Sequence, residues 1–244
     1  GASHGLGEDE YNAALAARSK ERGIHVVGIA DHGGIESIDA LRDTLQAAGI
    51  VVFPGFEIAC TEKFHMVCLF AEATSRDELN RYLGALGLTK PEETVWPSSK
   101  GCQEIAREVH RLGGFWYAAH ATLENGMVFR KSLHNWVDCE LLRAIQIPGA
   151  LGDLPLEFKQ IILNKDPNWK RERPVAVINA RDVAQPDDLA DPSATCWIKM
   201  TRPSFDAFKV AFLDPESRVR LNSEQPVEPP GSIHAVRVSG GYLA

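Results

Sequence analysis

Four apolar, strand-like segments of this 244-residue chain are each followed by side chains that can bind a metal ion. These side chains are Asp31 and His32, Glu57 and then His65, His120, and Asp182. In parallel α/β barrels, active sites are built at the strand ends, where the loops are free of the packing demands of the interior. A single His beside an Asp is usually a satisfied structural pair, but the repeated arrangement favours a functional site.

The order and spacing of these segments resemble the PHP (polymerase and histidinol phosphatase) family of metal-dependent phosphoesterases. Ala30-Asp31-His32 is similar to the second motif of that family, and Pro54-Gly55-Phe56-Glu57 with the later His65 is similar to the third. Ala119-His120 is similar to the motif that follows. The resemblance covers almost the whole chain and implies an α/β fold, a distorted (β/α)7 TIM-like barrel.

Two further segments, 195–200 and 213–220, are most similar to the PHP module that precedes an SMC-like ATPase in bacterial fusions of the TrlF type. A barrel of this kind needs about 200 to 250 residues, so we expect a PHP-like barrel over 1–221. Residues 222–233 contain three prolines and read as a linker. The last residues, 234–244, resemble the start of the following ATPase domain.

The segment before the first helix contains no strand-like run, and Ser3-His4 is similar to a loop that follows the first PHP strand. The His-x-His pair of that strand is absent, so we expect the first barrel strand to be missing here. Ala184 stands where the family often has a second His after Asp182. Of the three metal positions of the family, the resemblance leaves one with its full ligand set.

The resemblance implies a role for each candidate residue. The predicted metal ligands are His4, His32, Glu57, His65, His120 and Asp182, with Glu57 as a bridge and Asp31 as an outer contact that orients His32. The predicted catalytic residues are Glu57, Asp182 and His120, and the candidates for binding substrate are Arg181 and Arg130. Imidazole and carboxylate ligands suit Mn, Zn or Fe, and we expect two ions, at most three.

The net charge of −7 gives no general attraction for nucleic acid, because such binding depends on neutralising phosphates. The basic stretch 165–173 around Trp169 is either a solvated face or a platform that stacks a nucleic-acid strand. The five cysteines form no CxxC pair, which favours reduced thiols and a cytoplasmic location. No apolar run approaches the ~20 residues that span a bilayer, so we expect no membrane partner.

Clustered divalent cations can supply both a nucleophilic water and charge neutralisation for phosphoester hydrolysis. The sequence therefore predicts a phosphoesterase whose substrate is DNA, RNA, a nucleotide or a small phosphate, with the ATPase domain of the same chain as partner. One alternative is a catalytically impaired PHP module that binds phosphate or a nucleotide and regulates the ATPase. Another is an unrelated TIM-barrel amidohydrolase, which usually needs a ligating Lys that these strand ends lack.

Overall fold

A computed structural model describes residues 6–31, 35–88 and 96–226. The predictions for His4, His32 and segment 234–244 lie outside these ranges. The strands are β1 Val26–Asp31, β2 Val51–Ala59, β3 His65–Leu69, β4 Trp96–Pro97, β5 Phe115–Ala118, β6 Ala144–Gln146, β7 Ala176–Ile178, β8 Cys196–Ile198 and β9 Val219–Leu221. The helices are α1 Glu8–Glu21, α2 Ile38–Ala47, α3 Arg76–Ala85, α4 Cys102–Arg111, α5 Leu133–Asp138, α6 Leu156–Ile162, α7 Phe205–Ala211 and α8 Pro215–Arg218.

The main sheet is curled into a half-barrel and has the strand order β1-β2-β3-β5-β6-β7, with β4 paired to β2. Most neighbouring strands run parallel, namely β1 with β2, β2 with β4, β5 with β6, and β6 with β7. Within the described ranges, no strand pairs with the outer edge of β1 or of β7. The chain is thus an α/β protein with a parallel-rich half-barrel, and a sevenfold closed arrangement stays a prediction.

Strand β3 differs from a regular parallel barrel because it runs antiparallel to both β2 and β5. Only residues 60–64 connect β2 to β3, whereas a parallel crossover needs a dozen or more residues. The reversal brings the start of β3 beside the end of β2, so that His65 pairs with Ala59. His65 therefore lies at the same edge of the sheet as the carboxyl end of β2.

The inner face of the sheet carries alternate residues of each strand, because side chains along a strand point in turn to opposite faces. Phe53 and Glu57 of β2 lie on this face, as do Val67 of β3 and Tyr117 of β5. Gly55 lies between Phe53 and Glu57 on β2. An added Cβ there would lie 2.0 Å from the Cys68 carbonyl oxygen, so this position requires glycine. The opposite face of the sheet packs against the helices in a larger apolar cluster.

Aromatic rings of helix α7 cover the inner face of the sheet at the end where β2 and β5 begin. Phe208 lies 5.1 Å from Phe53 and 5.0 Å from Phe115, measured between ring centroids. The helix begins after Ser204, whose hydroxyl accepts the Ala207 N–H, as the sequence predicts for an N-cap. Its Lys209 ammonium donates to the carbonyl of Gly113, just before β5. This end of the sheet is opposite the one where β2 and β5 finish.

The segment 195–200 contributes a strand to a second, separate sheet. Its core, β8, pairs antiparallel with β9 rather than with β7. The connection from β7 to β8 contains only two short 3-10 helices, at Pro186–Ala190 and Pro192–Ala194. It therefore lacks the α-helix that usually returns the chain to a parallel neighbour. Asn179 accepts the Asn222 N–H and ties this small sheet to the end of β7.

Helix α1 ends just before Gly23, which has a φ of +66°. It packs against α2 and against the 3-10 helix that follows β7. Its Tyr11 hydroxyl donates to the Val183 carbonyl at 3.1 Å. No helix in the part of the chain that the structure describes is long and apolar enough to cross a membrane.

Candidate metal centre

Three side chains meet at the edge of the sheet where β2 and β5 end. Nδ1 of His65 lies 2.8 Å from Oε1 of Glu57 and 3.1 Å from Nε2 of His120. His120 Nε2 lies 3.5 Å from the same Glu57 oxygen, and the two imidazole rings are 4.8 Å apart at 73°. Each residue therefore directs one potential ligand atom toward a common point.

The chemistry of this cluster fits a divalent metal ion. The ligand atoms all lie within 4.8 Å of one another, and neighbouring ligands of a tetrahedral zinc ion with N and O donors are about 3.3 Å apart. The Glu57 side chain is 2% exposed, and those of His65 and His120 are 13% and 22% exposed. One carboxylate and two imidazoles form a donor set that suits Zn, Mn or Fe.

Two neighbouring segments hold the main chain of β3 in place at His65. The His65 N–H donates to the Asn125 carbonyl at 3.0 Å, and the His65 carbonyl accepts the Ala119 N–H at 3.1 Å. The Arg130 guanidinium in turn donates to the Asn125 side-chain oxygen at 2.7 Å. The loop after His120 thus folds back on β3, and Arg130 is hydrogen-bonded to this loop.

His120 itself has an unusual backbone conformation, with a φ of +30°. Its N–H donates to the side-chain oxygen of Gln146 at 2.8 Å, and the Ala121 N–H donates to the Gln146 carbonyl, also at 2.8 Å. Gln146 is the last residue of β6, on the neighbouring strand. Sequence reasoning missed Gln146, although a polar residue inside the largely apolar segment 141–147 was a visible signal.

Asp182 lies on the loop that follows β7 and does not belong to the three-residue cluster. Burial raises the pKa of the Tyr117 phenol, and the charges of Glu57 and Asp182 raise it further. The Tyr117 phenol therefore experiences the charge of both carboxylates. The role of Asp182 as a metal ligand and catalytic residue stays a prediction.

Among the described residues, Asp31 and Arg181 are two further predicted site residues that do not belong to the cluster. Asp31 ends β1 and pairs in register with Phe56, the residue before Glu57. Burial raises the pKa of the Tyr11 phenol, and the charges of Asp188 and Asp31 raise it further. Arg181, expected to bind substrate, forms an exposed ion pair with Asp191.

The basic stretch 165–173 is partly folded against the protein interior. The Trp169 indole packs against the Trp136 ring at 6.2 Å and is partly buried against the apolar core. Arg171 is only 7% exposed and donates to the carbonyls of Cys139 and Leu142. The aromatic ring packs inward because burying its large apolar surface is favourable. Arg171 is therefore not available to a nucleic-acid strand, and a nucleic-acid contact by the rest of the stretch stays a prediction.

The chain was also compared with known proteins. No protein-family model and no curated protein sequence matches it. Among solved structures, it is similar to the lesion-specific endonuclease PfuEndoQ from Pyrococcus furiosus, with a TM-score of 0.56 and 13% identity over 85% of this chain. It is also similar to a two-domain protein from Bacteroides vulgatus containing a predicted PHP-like metal-dependent phosphoesterase, with a TM-score of 0.52 and 14% identity over 86% of this chain.

These similarities define the fold of the chain. The half-barrel sheet is the α/β fold found in PHP-like metal-dependent phosphoesterases. The matched regions are 52% of the length of the endonuclease chain and 59% of that of the Bacteroides protein. The chain thus spans little more than half of each of these relatives.

Proposed function

We propose that this chain is a metal-dependent phosphoesterase domain that hydrolyses a phosphoester with a metal-activated water. The observation that carries the proposal is the convergence of Glu57, His65 and His120 at the end of the sheet. The fold shared with PHP-like phosphoesterases supports the same reaction class. A bound divalent cation would supply a nucleophilic water at neutral pH and neutralise charge on the phosphoryl oxygens.

The three side chains would hold the ion through one carboxylate oxygen and two imidazole nitrogens. In the hydrogen-bonded arrangement, His65 Nδ1 is shared between Glu57 and His120. Ligand nitrogens must be free of protons to bind a metal, so binding releases protons and strengthens as the pH rises. We further propose that Asp182 serves a second ion at the same mouth, and that the ions are Mn, Zn or Fe.

The substrate is proposed to be a phosphoester of DNA, RNA or a nucleotide. A chain with a net charge of −7 repels a polyanion unless cations are bound near the site. Arg130, which donates to Asn125 on the loop after His120, is proposed as one such cation. The fold is shared with an endonuclease, which favours nucleic acid over a small phosphate. We propose an SMC-like ATPase domain of the same chain as the partner.

A second candidate function is a phosphate- or nucleotide-binding module that regulates the ATPase without catalysis. It is favoured by the fact that, within the described ranges, only three donors form a candidate metal cluster. The two functions differ in turnover. Both predict binding of a phosphorylated ligand, but only the first predicts hydrolysis.

The test compares the chain with Glu57→Gln and a matched carboxylate control, Glu62→Gln. Glu62 accepts the main-chain N–H of Cys102, at the start of α4, and a side-chain N–H of Asn135. Burial acts to raise its pKa, but these hydrogen bonds outweigh it and the pKa is lowered. Glu62 is thus a structural carboxylate outside the cluster.

Metal-stripped protein would be titrated with Mn²⁺ and Zn²⁺ by calorimetry and assayed with bis(p-nitrophenyl) phosphate and p-nitrophenyl phosphate. We expect metal binding and metal-dependent hydrolysis in the wild type and in Glu62→Gln, and loss of both in Glu57→Gln. Metal binding without hydrolysis of either ester would favour the regulatory module. Wild-type protein that binds neither ion would contradict the proposed function.

A further inference from the structure

Gln146 makes two hydrogen bonds to consecutive N–H groups, on either side of the His120 α-carbon. Its side-chain oxygen accepts the His120 N–H and its main-chain oxygen accepts the Ala121 N–H, each at 2.8 Å. Because a backbone N–H can only donate, the carboxamide atom that faces His120 must be the oxygen. Gln146 is 8% exposed, and a buried polar side chain is costly unless it is paired in this way.

The peptide that these bonds hold has a conformation that a non-glycine residue seldom adopts. His120 has a φ of +30°, and residues held in sparsely populated regions cost about 1–3 kcal/mol each. Such conformations persist only when the surrounding structure over-determines them. The two Gln146 contacts fix both peptide groups of His120, and the ring then lies 3.1 Å from His65 and 3.5 Å from Glu57.

We propose that Gln146 is a positioning residue that keeps His120 in its ligand orientation. The inference rests on the proposed metal site and adds a residue that is hydrogen-bonded to the His120 main chain. Without the side-chain acceptor, the His120 peptide can relax toward a negative φ. The imidazole would then turn away from Glu57, and the centre would lose its third donor while the fold remained.

The test compares two substitutions of Gln146 with a matched control. Gln146→Met keeps the length of the side chain and removes the acceptor, whereas Gln146→Glu keeps an acceptor oxygen. The control is Asn179→Leu, which removes another buried amide, directly after β7. Asn179 donates to the carbonyls of Ile147 and Gly149 at 3.2 and 2.8 Å and accepts the Asn222 N–H.

Two readouts separate positioning from general destabilisation. The first is Co²⁺ binding, followed by calorimetry and by the visible absorption of the bound ion. We expect Gln146→Met to bind Co²⁺ about 10- to 100-fold more weakly, as is typical when a residue that orients a ligand is lost. Gln146→Glu should retain most of the affinity, and Asn179→Leu should keep the wild-type affinity and spectrum while unfolding at a lower temperature.

The second readout is hydrogen exchange of the His120 amide in metal-free protein, measured by NMR. Exchange should be slow in the wild type and in Asn179→Leu, and faster in Gln146→Met. Unchanged Co²⁺ affinity and unchanged exchange in Gln146→Met would overturn the inference and leave the proposed function intact. An equal loss of affinity in Asn179→Leu would also overturn it. Absence of Co²⁺ binding in the wild type would overturn the proposed function.

Discussion

Replacing Glu57 with Gln distinguishes a metal ligand from a purely structural carboxylate. Gln has nearly the same volume and keeps an oxygen that can accept a hydrogen bond from His65. A hydrogen bond to a charged group contributes about 1.5–3 kcal/mol, but removing a carboxylate from water costs several kcal/mol. These effects offset each other, so without metal we expect the free energies of unfolding of variant and wild type to agree within about 1 kcal/mol.

Bound metal should make the wild type more stable than the Glu57→Gln variant. An ion that binds only the folded state stabilises it by about 2.7 kcal/mol at 100 times Kd. For a domain of this size that corresponds to a rise in Tm of about 5–11 °C. If the loss of Glu57 weakens binding about 100-fold, the stabilisation at the same metal concentration falls to about 0.4 kcal/mol. The Tm of the variant should then rise by about 1–2 °C.

The assay is differential scanning calorimetry of wild type, Glu57→Gln and the Glu62→Gln control, each in chelator and in Zn²⁺. We expect similar Tm values for wild type and Glu57→Gln in chelator and a large metal effect in wild type and control only. A wild type whose Tm is the same in chelator and in Zn²⁺ would refute it. So would a Glu57→Gln variant that unfolds many degrees below wild type in chelator, because that result identifies a structural carboxylate.

Three further predictions concern the scaffold. Phe208→Ala should lower the free energy of unfolding by about 3–5 kcal/mol, seen in calorimetry, and leave metal affinity unchanged because the ring lies at the opposite end of the sheet. Gly55→Ala should destabilise by about 1–3 kcal/mol in urea titrations, whereas Gly84→Ala, where an added Cβ meets nothing within 4 Å, should be neutral or stabilising. The lowered pKa of Glu62 contributes stability above its unfolded pKa that is lost as pH falls below about 4.3. Stability measured between pH 6 and 3 should therefore fall less in Glu62→Gln; an unchanged profile would contradict this.

The meeting of Glu57, His65 and His120 could be predicted because each residue lies beside an apolar strand-like segment of the sequence. The direction of β3 was not predicted, although the sequence carried the signal. A connection of residues 60–64 is too short for a parallel crossover. The length of this connection alone therefore requires β2 and β3 to form an antiparallel hairpin.

The rest of the site depends on tertiary contacts that a single sequence does not reveal. Gln146 acts on His120 across two strands that are distant in sequence, through a backbone conformation that leaves no mark on residue type. Arg171 and Trp169 look like part of an exposed charged stretch, but the Arg171 guanidinium donates to backbone carbonyls inside the core and the Trp169 ring packs against the core. Local composition could not distinguish these buried side chains from solvated ones.

The hairpin of β2 and β3 also determines the order in which the centre can assemble during folding. Glu57 and His65 are joined by a short connection, and the entropic cost of closing a loop grows with its length. These two donors can therefore meet as soon as the hairpin forms, on a timescale of about 1–10 μs. His120 arrives only when β5 docks alongside β3, so the last donor to join the centre reports completion of the sheet.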